Sequence, residues 1–189
     1  MTLLEQCTEV VKLNEIGDAD PYRFDDPDGL RSGKSGWSFG PCQFDIANNS
    51  AASLCLKDCE FTDEEIAGLK AQTIPDMAPM NAKLAAHADV IERYSEAQLK
   101  YCVDGATEFI NKYRVPFVDT AAILAIADTV NQYGSVGGGS ASYLLALGRP
   151  VSAKDVLAMK LTWKYAKASK HNYDDTIRRY NNLIKVVTA

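Results

Sequence analysis

Glu15 comes just after the apolar positions Val10, Val11 and Leu13 of an expected helix and precedes Ile16. That setting suits a lone acid. A carboxylic acid protonates the oxygen of a breaking acetal near neutral pH only when its surroundings favour the protonated form, and desolvation is the usual device. Further along, the chain reads Trp37-Ser38-Phe39-Gly40-Pro41-Cys42-Gln43-Phe44-Asp45. Gly40 lets a ligand come close to the backbone. Gln43 can both donate to and accept from hydroxyl groups or the acid itself. Taken singly, the two features also read as an exposed glutamate near a helix end and as a Gly-Pro turn.

Acetal chemistry by hydrolysis needs a second carboxylate, either to position water or to stabilise the oxocarbenium ion. Asp18, Asp20, Asp25, Asp26 and Asp28 all lie between the acid and the turn. Asp28 and Asp26 are the candidates. The composition of Asp25-Asp26-Pro27-Asp28-Gly29 is equally that of a plain turn.

The elements that must hold these groups are helical. Leu3, Leu4, Val10, Val11 and Leu13 fit one stripe of a helix over residues 2–15, which Gly17 ends. Residues 18–36, with two prolines and three glycines, predict a long loop, with a short irregular hairpin around 31–40. Thr62-Asp63-Glu64-Glu65 is a capping box that opens a helix to about residue 72. Helices are expected over 80–93 and over 95–113, the second opened by Ser95. Asp119 caps a helix over 120–133 whose centre, Ala121-Ala122-Ile123-Leu124-Ala125-Ile126-Ala127, is apolar on all sides and so central in the fold. After residues 134–139 come a short helix near 140–147, one over 152–168 capped by Ser152, and a last one near 172–187. The expected fold is mainly α, a single domain over 1–189 with a long polar loop or small irregular hairpin after the first helix.

Composition narrows the function classes. The chain has 189 residues, 47% hydrophobic and 24% charged, enough for one domain with a proper core. Residues 1–94 hold 8 basic against 17 acidic side chains, a net −9, and residues 95–189 hold 12 against 8, a net +4. That distribution argues against nucleic acid as a partner, which requires a contiguous basic face. The sequence contains no run long and apolar enough for stable membrane insertion. Its first residues lack the pattern of a secretory signal, so synthesis in the cytoplasm is expected.

Other chemistries find little support. The five cysteines, Cys7, Cys42, Cys55, Cys59 and Cys102, form no Cys-x-x-Cys pair, and neither His87 nor His171 lies beside one. No zinc site or other metal is expected, and the thiols read as buried and reduced. The aspartate-rich loop lacks the calcium-loop spacing. Gly137-Gly138-Gly139-Ser140 lacks the ending of a phosphate loop and reads as a flexible border of a cleft. Lys160, Lys164, Lys167 and His171 fall on one face of the expected helix, which reads as solvated.

The ordered set of Glu15, then Phe39-Gly40-Pro41-Cys42-Gln43, then Ala127-Asp128-Thr129-Val130-Asn131-Gln132-Tyr133-Gly134 resembles the motifs of the goose-type lysozyme and lytic transglycosylase superfamily, phage endolysins among them. That family carries a catalytic glutamate at a helix end, a Gly-Leu-Met-Gln turn and a helix ending in Tyr-Asn-Ala-Gly. Here Pro41 and Cys42 replace Leu-Met, Val130 and Gln132 replace Tyr and Ala around Asn131, and Ile16 stands where a serine is usual. The resemblance implies a lysozyme-like fold and cleavage of the peptidoglycan bond between N-acetylmuramic acid and N-acetylglucosamine. Glu15 would be the general acid, with Asp28 or Asp26 as accessory carboxylate. Ser38, Phe39, Gly40, Gln43, Asn131 and Tyr133 would shape the glycan site. No cofactor is implied, and a monomer acting on the bacterial cell wall after release or export is expected. A transglycosylase needs no second acid, because the substrate's own hydroxyl attacks, so hydrolysis and transglycosylation both stay open. A chitosanase- or chitinase-like glycosidase and a non-catalytic glycan-binding module of a phage particle or secretion system are the alternatives.

Overall fold

The computed structural model describes residues 1–26 and 36–189. The chain is mainly α, with a small antiparallel hairpin after the first helix; the described residues form ten helices and one two-stranded sheet. They divide into two compact units. A hairpin unit comprises Glu15–Ala97, and a helical unit comprises Met1–Asn14 with Gln98–Ala189.

The hairpin unit is built around aromatic rings. Strands β1 (Ser38–Phe39) and β2 (Phe44–Asp45) pair antiparallel, with Ser38 opposite Asp45 and Phe39 opposite Phe44. Asp25 bridges Ser38 on the other side through two backbone hydrogen bonds of 2.8 and 2.7 Å. Phe39 sits between Phe24 and Phe44 with ring centroids 5.6 and 5.7 Å away, and Phe24 meets Phe61 edge-on at 5.9 Å. Helix α2 (Ser50–Asp58) starts at Asn49, whose side chain accepts from Ala51 N–H. Helix α3 (Asp63–Lys70) has the predicted capping box: Thr62 and Glu65 bond each other's backbone. Helix α4 (Ala78–Ala85) follows.

The two helices expected over 80–93 and 95–113 are divided at residues 86–87 and not at 94: α5 (Ala88–Tyr113) runs unbroken through the expected boundary, with residues to Ala97 in the hairpin unit and the remainder in the helical unit. Ser95 is not a cap. It is buried in mid-helix, and its hydroxyl donates to Ile91 O at 2.9 Å. A serine satisfied by the carbonyl one turn back no longer competes with the helix.

In the helical unit, α1 (Leu3–Glu15) buries Cys7, Val10 and Val11. Helix α6 (Thr120–Tyr133) is the buried centre, capped by Asp119 and ended by Gly134 at φ +76°, as its sequence predicts. Gly105 of α5 lies so close to α6 that a Cβ there would stand 3.2 Å from Val130. Helix α7 (Gly138–Leu145) follows. The expected helix over 152–168 is two, α8 (Ala153–Leu161) and α9 (Lys164–Ala168), and α10 (Lys170–Thr188) closes the chain.

Candidate functional site

The hairpin's four-residue connection is held from behind. Gly40 has φ +77°, and a Cβ on it would lie 3.1 Å from Ile91 and 3.3 Å from the Phe44 ring, so a side chain is excluded twice over. Its N–H donates to Pro21 O at 2.8 Å, and its own carbonyl accepts from Gln43 N–H at 3.0 Å. Cys42 is buried, its thiol 3.8 Å from Ser95 O. Asp45 ties the far end, accepting from the backbone N–H groups of Gly36, Ala47 and Asn48.

Gln43, half-buried, is the residue this turn presents, in a left-handed conformation with φ +50°. The other described non-glycine residues with positive φ, Glu60, Gln72 and Arg114, lie just past the ends of α2, α3 and α5, where the left-handed conformation serves as a helix terminator. Gln43 terminates no helix. Holding a glutamine there costs about 1–2 kcal/mol, and local strain of this kind collects at ligand-contacting turns. Ser38 and Phe39 are buried, at 2% and 0% exposure, so their side chains hold the turn and present no surface to a ligand.

Glu15 is the last residue of α1, half-buried, at the start of the hairpin unit, and Gly17 turns the chain away with φ +56°. Asp26 directly follows the Asp25–Ser38 bridge. Both of its carboxylate oxygens are shielded from solvent and take no hydrogen bond from a described residue. The indole N–H of Trp37, one residue before Ser38, is in the same condition. Asp28, the other candidate for a second acid, lies outside the described residues.

The remaining two expected site residues belong to the helical unit. Asn131 is half-buried, its side-chain oxygen 3.5 Å from the Gln98 amide and 3.8 Å from the Cys102 thiol. Tyr133 closes α6, 38% exposed, and meets Trp163 and Tyr165 edge-on at 5.2 and 6.0 Å. Burial, and next the neighbouring Tyr165, push its hydroxyl up to about 12.

Sequence reasoning missed a buried ionic cluster in the same unit. Asp128 of α6 accepts from Arg179 Nη2 at 2.6 Å and Nε at 3.2 Å, from Asn14 at 3.0 Å, and more distantly from Lys160 at 3.5 Å. Lys160 also donates to Gln132 Oε1 at 2.7 Å. Burial alone would raise the Asp128 carboxyl, but the charges of Arg179 and Lys160, with the Arg179 and Asn14 hydrogen bonds, bring it down to about 2. Lys160 is pulled below the ordinary lysine value, chiefly by burial. The expected solvated face is corrected for Lys160 and for its continuity, while Lys164, Lys167 and His171 are exposed as expected. Lys160 is buried at 7% exposure, and the helix breaks before Lys164 and Lys167, which are exposed.

A cavity of about 20 Å³ beside Asp128, Lys160, Arg179 and Tyr180 has room for one water-sized species. A larger one, about 370 Å³, is bounded by Tyr101, Asp104, Glu108, Tyr113 and residues 134–137. All five cysteines are buried thiols outside any disulfide. Burial pushes Cys7 up to about 12. A hydrogen bond between their side chains raises Cys55 and lowers Cys59. Among the described residues no group of three or more His, Cys, Asp or Glu side chains could hold a metal ion, and no helix is long and apolar enough to cross a membrane. Comparison of the chain with models of protein families, with curated proteins and with solved structures gives no match.

Proposed function

We propose that this protein cleaves the glycan strand of peptidoglycan at the β-1,4 bond between N-acetylmuramic acid and N-acetylglucosamine, in the service of bacterial lysis. Glu15 is the general acid that protonates the leaving oxygen. Gln43 orients the sugar or the acid from its strained turn. The observation that carries the reading is the Asp26 carboxylate, shielded from water and without a hydrogen-bond partner among the described residues, in the same unit as Glu15. A buried polar group without a partner is costly, and native chains retain such groups where chemistry uses them. A second carboxylate favours hydrolysis, in which it positions water or stabilises the oxocarbenium ion, over transglycosylation.

The test is the Glu15→Gln variant on purified peptidoglycan. The reading expects loss of clearing by about 10²–10⁴-fold, the usual contribution of a general acid, with the fold intact by circular dichroism. Equal clearing by variant and parent removes Glu15 from the mechanism. A parent that binds the glycan and never cuts it makes the protein a binding module. Reducing ends in the product mark hydrolysis, and anhydromuramic ends mark transglycosylation.

A further inference from the structure

The cavity of about 370 Å³ belongs wholly to the helical unit. Its size is that of a small-molecule site, which typically spans about 300–1,000 Å³. Its floor is apolar. Phe109 of α5 and Val130 of α6 are buried there, and Val136 adds to it from the loop between α6 and α7. Residues 134–137 supply another wall, pinned where Tyr101 donates its hydroxyl to Gly134 O at 2.9 Å. At Gly137 this wall is bare backbone. Its φ of −98° suits any residue, and a Cβ there would meet nothing within 4 Å. A serine would cap α7 better; the glycine leaves open space beside the cavity instead.

The rim carries an acid and a base that do not meet. Glu108 and Lys112 line the cavity, are exposed, and stand one helical turn apart on α5 with the acid first, the order that favours an ion pair. On the same helix Lys100 and Asp104, at the same spacing, do pair at 2.7 Å. Among the described residues Glu108 and Lys112 make no ion pair; the Lys112 ammonium lies over the Tyr113 ring, 5.4 Å from its centroid. Opposite charges held apart above an apolar floor match a ligand with an ammonium and a carboxylate on a short frame and an apolar body.

We propose that this cavity binds a free α-amino acid with an apolar side chain. The ligand's ammonium meets Glu108, its carboxylate meets Lys112, and its side chain lies on Phe109, Val130 and Val136. The site uses no residue of the hairpin unit and is independent of the role of Glu15.

The full chain is titrated by calorimetry with L-phenylalanine and with L-leucine, each up to about 10 mM. Saturable binding of at least one is expected. N-acetyl-L-phenylalanine lacks the ammonium and L-phenylalanine amide lacks the carboxylate, and each binds about five-fold more weakly than the parent amino acid. Glu108→Gln and Lys112→Gln alter exposed side chains, so both variants keep the parent's circular dichroism. Each weakens binding of the amino acid by about five-fold, the upper worth of a solvent-facing ion pair. Glu108→Gln also narrows the gap between L-phenylalanine and its N-acetyl form, because the group that reads the ammonium is gone. No saturable binding, equal binding of the blocked forms, or an unchanged affinity in either variant overturns the proposal. Tighter binding of the amide than of the free amino acid makes the cavity a cation site and overturns it as well. None of these readouts depends on cleavage, so a chain that never cuts peptidoglycan leaves this site standing, and a chain that cuts without binding an amino acid leaves the catalytic reading standing.

Discussion

The hairpin unit and the helical unit treat buried polar groups in opposite ways. In the helical unit, Asp128 is inside the core and is met by Arg179, Lys160 and Asn14. In the hairpin unit, the Asp26 carboxylate, the Trp37 indole N–H and the Ser53 hydroxyl are shielded from water without a hydrogen-bond partner among the described residues. A completed network holds a core in one arrangement. Open valences destabilise the unit that carries them and leave groups ready to meet a ligand. One unit therefore looks built for stability, and the other keeps unsatisfied chemistry beside its strained turn.

Mutation can break this contrast, and the largest effect falls on the completed network. Asp128→Ala leaves Arg179 and Lys160 without their carboxylate and is expected to cost about 3–5 kcal/mol in urea unfolding. A cost below 1 kcal/mol would show that the network is not a stabilising core at all. Asp26→Leu is expected to go the other way, raising stability by roughly 1–3 kcal/mol as an unsatisfied polar group disappears, while cleavage of peptidoglycan falls. Loss of stability in this variant would place Asp26 with Asp128 as a structural acid. Gly40→Val forces a Cβ against Ile91 at a positive φ and should cost about 1–3 kcal/mol, read as a lower urea midpoint. Gln43→Gly relieves the left-handed backbone and gains up to about 1 kcal/mol, again with loss of cleavage.

The contrast also has a pH signature. The Asp128 carboxyl is held at about 2 in the folded chain, below the ~3.9 of an unfolded aspartate. Between those values the unfolded chain binds more protons, so stability rises with pH there. The contribution of Asp128 is complete above about pH 4 and drains away as pH falls toward 2. Urea midpoints measured from pH 2 to 6 should show this slope in the parent and a flatter profile in Asp128→Asn.

Local signals in the sequence predicted local structure. The Thr62–Glu65 box, the Asp119 cap and Gly134 each act within a few residues, and the structure uses all three as expected. The same local reading placed a helix start at Ser95, since a serine in the open sequence cannot reveal whether its hydroxyl faces solvent or the carbonyl one turn back. The break at Thr162–Trp163 carries no proline or glycine, so periodicity ran straight through it. Asp128 was hidden for a different reason. It sits in an apolar run, and its partners Lys160, Arg179 and Asn14 are 32, 51 and 114 residues away. Nothing local indicates that two buried cations await it. At the site, Glu15 and Gln43 stood out by type and spacing, whereas the burial of the Asp26 carboxylate without a hydrogen-bond partner among the described residues is a property of packing and becomes visible only in three dimensions.

The five buried thiols turn the chain into its own stopwatch. Cys42, Cys55 and Cys59 belong to the hairpin unit, and Cys7 and Cys102 to the helical unit. A thiol reagent reaches each only when its surroundings open, so the rate at which each is tagged reports the free energy of that opening. Mass spectrometry of tagged peptides would time the two units separately in a single tube, without a probe having been added to either.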